Sequence, residues 1–280
     1  MTPKLQIPGT CVRRLVRASV AGGAIVASLL AAKMALAAKT FFIGEAVDYT
    51  VGTHCDLKDV NTITATLQSA LTSDGWTGTR LINGAAWPQH FIERCSSSYG
   101  VNGKDFACAD AASLAVFAGH GSVNSLAFSS NAGGRCSVSM TTNARLGTMS
   151  GAQASFGMWL ACQVLQGSLM GTEQHQWLRQ QAGFQNSIAI GNNEPRDFYN
   201  ATISSMNADA WLNKMSTKGR NAIIVTTETR TSSNTVNSCW GVHNTAKLRG
   251  NLWNIPRGGG PACGAPQAWY WYCYETRKGK

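Results

Sequence analysis

Five short apolar segments constrain the fold of this 280-residue chain more than any other feature of its sequence. Each segment is nearly continuous rather than alternating, which is typical of strands that are covered on both faces in a mostly parallel sheet. Hydrophobic residues make up 44% of the chain, so the chain can bury a large core and is predicted to be globular. The five segments are residues 40–46, 114–119, 156–161, 187–191 and 221–226.

Helical patterns separate the predicted strands. Apolar residues recur at helical spacing from Val60 to Leu71, with Asp56 placed to cap that helix and Gly75 placed to end it. Strands that alternate with helices predict an α/β sandwich with right-handed crossovers. Two more helices are predicted, at residues 172–181, ended by Gly183, and at residues 197–215, with a break near Asn207.

The chain after residue 226 differs in composition from the part before it. This region is polar, rich in Gly and Asn, and ends in an aromatic cluster at residues 269–274. We predict a β-rich C-terminal extension over residues 227–280, packed on the same domain, either on the sheet edge or as a small subdomain. Residues 122–155 are rich in Ser, Gly, Asn and Thr and predict a hairpin or a long loop. The cysteines expected to fasten the extension by disulfides are Cys239, Cys263 and Cys273.

The N-terminus has the pattern of a targeting segment. Residues 1–17 are basic, residues 18–30 are apolar with small residues, and Ala35-Leu36-Ala37 is a signal-peptidase site. The apolar run is interrupted by Lys33 and is too short to span a bilayer comfortably. We therefore predict a signal peptide over residues 1–37, an α/β domain over residues 38–226, and a secreted or periplasmic protein without membrane association once the signal is removed. A retained N-terminal anchor is the alternative.

Charge and motifs exclude several functional classes. The net charge is +10, but without residues 1–37 the chain has 19 basic and 14 acidic residues and no dense Lys/Arg stripe, so nucleic-acid binding is not predicted. No CxxC, HExxH or GxSxG motif occurs, so we predict neither a metal nor an organic cofactor. The sequence carries no signal of the oligomeric state. The histidines interpreted as surface or capping residues are His54, His90, His175 and His243.

Export also decides how the cysteines are interpreted. Eight cysteines follow residue 37, and in an oxidising compartment most of them are expected to form disulfides. If one thiol is used for chemistry, one of the other seven is left without a partner, and the sequence leaves this question open.

Two predicted strands end in reactive side chains. His120 and Gly121 follow the segment at residues 114–119, and Cys162 follows the segment at residues 156–161. Ligands bind at the carboxyl ends of strands in an open parallel sheet, so neighbouring strands would bring these groups together. The thiolate is the nucleophile and an imidazole can take the thiol proton. A helix expected after Cys162 would place its positive end near the sulfur, and the N–H groups of Gly121 and Cys162 would hold an oxyanion.

These two blocks resemble those of the caspase-like cysteine peptidases, which include legumain, gingipains, clostripain, separase and the caspases. The order His then Cys is the same, and Cys162 lies 42 residues after His120, close to the separation of about 50 in caspases. The run at residues 119–122 is most similar to that of bacterial members. The resemblance covers residues 40–226 and implies a three-layer sandwich with a mostly parallel sheet, in which His120 and Cys162 are catalytic. The blocks also resemble those of a group of secreted bacterial proteins of unassigned function.

The resemblance also suggests substrate-binding residues. The segment at residues 187–191, with Asn192 and Glu194, resembles the strand and loop that help line the specificity pocket of legumain-type enzymes. Leu160 stands where those enzymes have a polar residue, so a preference for Asp or Asn is not predicted. Glu194 or Asp197 would favour a basic substrate side chain, although helix-start and surface roles are more common for both. Asp48 would orient the substrate or the histidine, or lie in a turn.

Two functional hypotheses follow. The first is a secreted cysteine endopeptidase that hydrolyses a protein or peptide substrate through a thioester, with His120 and Cys162 as a dyad. The second is a non-catalytic binding or interaction protein on the same scaffold, including a carbohydrate- or cell-wall-binding protein acting through the aromatic C-terminus. A free Cys162 with a low pKa would favour the enzyme, whereas a disulfide at Cys162 would favour the binding protein.

Overall fold

The computed structural model describes residues 39–49, 63–93, 103–130, 135–144, 146, 154–166, 178–229, 252 and 270–280. Among these residues, no helix has the length and apolar character needed to cross a bilayer. The elements in chain order are β1 (Thr40–Glu45), α1 (Ala65–Ser73), β2 (Thr77–Ile82), β3 (Leu114–Ala118), β4 (Gly121–Ser122), β5 (Ser125–Ala127), β6 (Ser137–Ser139), β7 (Phe156–Leu160), β8 (Gln180–Phe184), α2 (Glu194–Thr202), α3 (Asn207–Met215), β9 (Asn221–Thr229) and β10 (Tyr270–Lys278).

The central feature is a mixed seven-stranded sheet in the order β10-β9-β8-β7-β3-β1-β2. The strands from β8 to β2 are parallel, whereas β9 is antiparallel to β8 and β10 is antiparallel to β9. The predicted α/β class with a mostly parallel sheet is therefore confirmed. Strand order reverses between β1 and β3, and this switch point is where an open sheet of this kind forms a ligand crevice beyond its carboxyl ends.

Four of the five predicted strands are confirmed, as β1, β3, β7 and β9. Every residue of β3 and β7 is buried, because both faces of the sheet are covered. On one face, Val116 belongs to a cluster with Leu67 of α1 and Trp211 of α3. On the other face, the ring of Phe117 meets that of Phe91 edge to face at 5.8 Å. All three described α-helices bury their apolar side chains on the first face, and the small sheet β4-β5-β6 covers part of the second.

The fourth predicted strand is wrong, because the strand is formed by residues 180–184 and not by residues 187–191. The two glutamines of β8 are buried and accept hydrogen bonds from other buried polar side chains. Gln181 accepts a hydrogen bond from the indole N–H of Trp159 at 2.6 Å, and Gln180 accepts one from the amide of Asn207 at 2.7 Å. The helix predicted over residues 172–181 is wrong at its C-terminal end for the same reason, and Gly183 lies inside β8. Residues 172–177 lie outside the described residues.

The helix predicted before Gly75 is confirmed as α1, and Gly75 follows it with φ +83°, a conformation that favours glycine. The helix begins at Ala65. Just before it, the buried carboxylate of Glu45 accepts hydrogen bonds from the N–H of Ile63 and the hydroxyl of Thr64. Arg80 pairs with the same carboxylate at 2.6 Å. Asp56 and Val60 lie outside the described residues.

The predicted helix break near Asn207 is also confirmed, since α2 ends at Thr202 and α3 begins at Asn207. The helical region begins at Glu194, three residues before the predicted start, with Pro195 in its first turn. Proline is favoured there because its fixed φ suits the first helical turn and its missing N–H has no helical acceptor.

The predicted hairpin or loop region and the C-terminal extension both contain strands. The region predicted as a hairpin or a long loop contains the hairpin β4–β5, with β6 as a third strand. The aromatic C-terminal segment forms β10, which pairs with β9 over nine residues at the edge of the main sheet. Cys239 and Cys263 lie outside the described residues, so the disulfides of the C-terminal extension stay a prediction.

Candidate functional site

The two strands that carry His120 and Cys162 are neighbours. β3 and β7 run parallel with Ala118 opposite Leu160, and the Gly119 N–H extends the pairing by donating to the Leu160 carbonyl at 3.2 Å. His120 and Cys162 each lie two residues beyond this last register pair, so they leave the sheet at the same edge. The expectation that two adjacent parallel strands deliver these residues to one edge is confirmed.

Gly121 lies directly against the backbone of Cys162. A Cβ atom at Gly121 would lie 2.7 Å from the Cys162 carbonyl oxygen and 2.9 Å from the Cβ of Ala161. Both distances are shorter than normal contacts, so only glycine fits. This close approach keeps the turn after β3 packed on the turn after β7.

Cys162 is a half-buried, free cysteine, whereas Cys136 is disulfide-bonded. The backbone N–H of Ile188 donates to the Cys162 sulfur at 3.3 Å, and the sulfur lies 3.7 Å from the Ile188 carbonyl oxygen. The Ile188 backbone therefore contacts the sulfur through both its N–H and its carbonyl oxygen.

The helix expected directly after Cys162 is not present, since residues 162–165 form turns. Gln163 there has φ +57°, and its N–H donates to the Asn186 carbonyl rather than to a helical acceptor. The donor near the sulfur is therefore the Ile188 N–H from the segment after β8, and not a helix N-terminus.

The imidazole of His120 has a ring nitrogen available for chemistry. Its Nε2 atom is buried and has no hydrogen-bond partner within the described parts of the chain. Buried polar atoms are rarely left without a partner, and a catalytic role is one of the explanations for such an atom. The backbone of His120 is held from the other side, because its N–H donates to the hydroxyl of Tyr49 at 2.7 Å.

Tyr49, which the sequence analysis missed, is in direct contact with His120. Its ring centroid lies 4.9 Å from that of His120, its side chain is buried, and its hydroxyl donates to the Ala127 carbonyl at 3.0 Å. Burial raises the pKa of Tyr49 above its ordinary value, the hydrogen bond from His120 opposes this rise, and negative charge on Cys162 adds to it. Tyr49 is therefore a neutral hydrogen-bonding group near both His120 and Cys162. Its signal in the sequence was a tyrosine just beyond the end of β1, the strand beside β3.

Two backbone N–H groups at the site are not used by the sheet. The Ala127 N–H donates to the His120 carbonyl, which makes residues 120 and 127 a hydrogen-bonded pair of the β4–β5 ladder. Such pairs alternate, so Gly121, opposite Leu126, is in a non-hydrogen-bonded pair and its N–H points away from β5. Among the described residues, no acceptor is found for the N–H of Cys162.

Glu194, a predicted substrate-binding residue, is engaged within the protein. Arg220, which is almost fully buried, holds both carboxylate oxygens at 2.5 and 2.9 Å, and the Gly191 N–H donates to the same carboxylate at 2.7 Å. Burial alone would raise the pKa of Glu194, but the hydrogen bonds from Arg220 and Gly191 hold it below its ordinary value. Arg220 also donates to the Ala189 carbonyl at 3.0 Å, so this ion pair fixes the segment that presents Ile188 to the sulfur.

The other predicted substrate-binding residues lie in different places. Leu160 is buried in the helix-side core, where it touches no open surface. Asp197 forms an exposed ion pair with its neighbour Arg196 at 2.8 Å. Asn192 is exposed, and its carbonyl accepts a hydrogen bond from Thr66. Asp48 is half-buried, and its N–H donates to the side-chain carbonyl of Asn83 at 2.9 Å.

His90 is a buried capping residue. Its Nδ1 atom accepts a hydrogen bond from the Trp87 N–H at 3.2 Å, and the two rings stack with centroids 5.8 Å apart. Burial, with a smaller effect from the charge of Lys104, lowers the pKa of His90 to about 4. The capping interpretation is confirmed and the surface interpretation is wrong. His54, His175 and His243 lie outside the described residues.

No cluster of three or more His, Cys, Asp or Glu side chains that could hold a metal ion occurs within the described parts of the chain. A family model described as "Domain of unknown function (DUF6345)" matches residues 44–273, and the chain belongs to this family. No curated protein and no solved structure matches the chain significantly.

Proposed function

We propose that this protein is a secreted cysteine peptidase of the caspase-like type, with a three-layer caspase-like sandwich and a His120/Cys162 dyad. One observation carries the proposal: the adjacent parallel strands β3 and β7 are followed by a histidine, whose buried Nε2 atom has no partner among the described residues, and by a free cysteine. The free state of Cys162 also favours the enzyme over the non-catalytic alternative.

The proposed reaction is acyl transfer followed by hydrolysis. The sulfur of Cys162 attacks the peptide carbonyl carbon while its proton passes to Nε2 of His120. The N–H groups of Gly121 and Cys162 donate to the oxyanion. The C–N bond then breaks, His120 gives its proton to the leaving amine, and a thioester remains. Water attacks the thioester, His120 takes a proton from it, and cleavage of the C–S bond releases the acid and restores the thiol.

The test is covalent labelling of the purified protein, without its signal peptide, by a panel of acyloxymethyl ketone peptides, together with cleavage of the matching peptide substrates. We expect one adduct at Cys162, and loss of both labelling and cleavage in Cys162→Ala. The matched control is Cys108→Ala, which removes a cysteine buried in the cluster on the second face of the sheet and is expected to keep both activities. Full cleavage by Cys162→Ala would refute the assignment.

A further inference from the structure

The position of the Tyr49 hydroxyl suggests a role that rests on the proposed function. A hydrogen-bonded pair in an antiparallel ladder exchanges two N–H···O bonds. Residues 120 and 127 form only one of these directly, from the Ala127 N–H to the His120 carbonyl at 2.9 Å. In place of the second bond, the His120 N–H donates to the Tyr49 hydroxyl, which donates in turn to the Ala127 carbonyl.

We propose that Tyr49 is a positioning residue, whose hydroxyl replaces a ladder bond and whose ring packs on the imidazole, and that it thereby holds His120 beside Cys162. The interposed oxygen keeps the His120 N–H and the Ala127 carbonyl too far apart to meet. His120, the second residue after β3, is thus turned out of regular pairing at the point where its imidazole leaves the sheet.

The surroundings of Tyr49 leave its hydroxyl little freedom. A Cβ atom on Gly119 would lie 2.6 Å from the hydroxyl oxygen and 2.8 Å from the Ala46 carbonyl oxygen. The glycine between β3 and His120 therefore makes the space that the hydroxyl occupies. The backbone before Tyr49 is also tied, since the side-chain carbonyl of Asn83 accepts the N–H groups of Val47 and Asp48, each at 2.9 Å.

Removing the hydroxyl has a defined consequence for the site. In Tyr49→Phe the His120 N–H and the Ala127 carbonyl lose the oxygen that joins them. If they close on each other, the imidazole moves with the backbone, and if they stay unpaired, the His120 backbone loses the bond that fixes it. Catalytic geometry is sensitive to such movement, since a displacement of about 1 Å can cost about 100-fold in rate.

The experiment measures the pH dependence of Cys162 alkylation by iodoacetamide, with the modified peptide identified by mass spectrometry. In Tyr49→Phe we expect the rate at neutral pH to fall about tenfold, and the midpoint of the profile to lie at a higher pH than that of the wild type, because alkylation requires the thiolate. The matched control is Tyr199→Phe, which removes a buried hydroxyl that donates to Asp74 at 2.7 Å on the other face of the sheet. It is expected to keep the wild-type profile.

His120→Ala separates the two proposals. If His120→Ala lowers the rate but Tyr49→Phe matches the wild type, the inference about Tyr49 is overturned and the dyad stands. If His120→Ala matches the wild type, the proposed dyad itself is wrong.

Should Tyr49→Phe fail to fold, amide hydrogen exchange of the wild-type protein decides the question. The His120 amide is expected to be protected by its bond to Tyr49. Exchange of this amide as fast as in an unstructured peptide would overturn the inference.

Discussion

The ion pair between Glu194 and Arg220 allows a quantitative test of how the segment beside Cys162 is held. Arg220 is 1% exposed and the Glu194 side chain 20% exposed. Glu194→Ala therefore leaves a buried guanidinium without its counter-charge. Breaking a buried pair in this way costs about 3–5 kcal/mol, and the partial exposure of Glu194 places our expectation at the lower end, about 3 kcal/mol.

Urea unfolding followed by far-UV circular dichroism measures this change. In a separate thermal unfolding experiment, we expect the midpoint of Glu194→Ala to lie roughly 6–12 °C below that of the wild type, for a domain of this size. The matched control is Asp197→Ala on the same helix, whose exposed pair with Arg196 is expected to contribute less than about 1 kcal/mol. Equal stability of the two variants would contradict the reasoning.

The pH dependence of the same difference has a definite sign. The pKa of Glu194 is held below its ordinary value of 4.5 in the folded protein. Its contribution to stability is therefore complete above the unfolded value and is lost as the pH falls through the lower, folded value. The gap in unfolding free energy between the wild type and Glu194→Ala should close in this acid range. A gap that widened there would show that the charge of Glu194 is not the cause.

Two further predictions concern the strand ends. Glu45→Gln should cost about 3 kcal/mol in urea unfolding, because it leaves Arg80, at 11% exposure, without a counter-charge; a change under about 0.5 kcal/mol, which is normal for a surface substitution, would contradict this. Gly121→Ala should cost about 1–3 kcal/mol by overpacking and abolish alkylation of Cys162, since the new Cβ meets the Cys162 carbonyl. Gly75→Ala, where a Cβ meets nothing within 4 Å, should keep the wild-type alkylation rate.

The fold could be predicted where burial leaves a local mark on the sequence. β1, β3, β7 and β9 are apolar because both faces of each strand are covered. β8 could not be predicted in this way, because it begins with two polar residues. Gln180 and Gln181 are buried because they form hydrogen bonds with Asn207 and with the indole of Trp159. Their partners lie 27 and 22 residues away in the chain, so a local pattern carries no record of them.

The sequence by itself determined which two strands end in a histidine and a cysteine, since a buried strand followed by a polar, reactive residue is readable from neighbouring letters. Only the tertiary structure decided what surrounds those groups. Tyr49 lies 71 residues before His120, and Ile188 lies 26 residues after Cys162. Contacts over such distances depend on strand order and register, which arise from packing the whole sheet and not from any one segment.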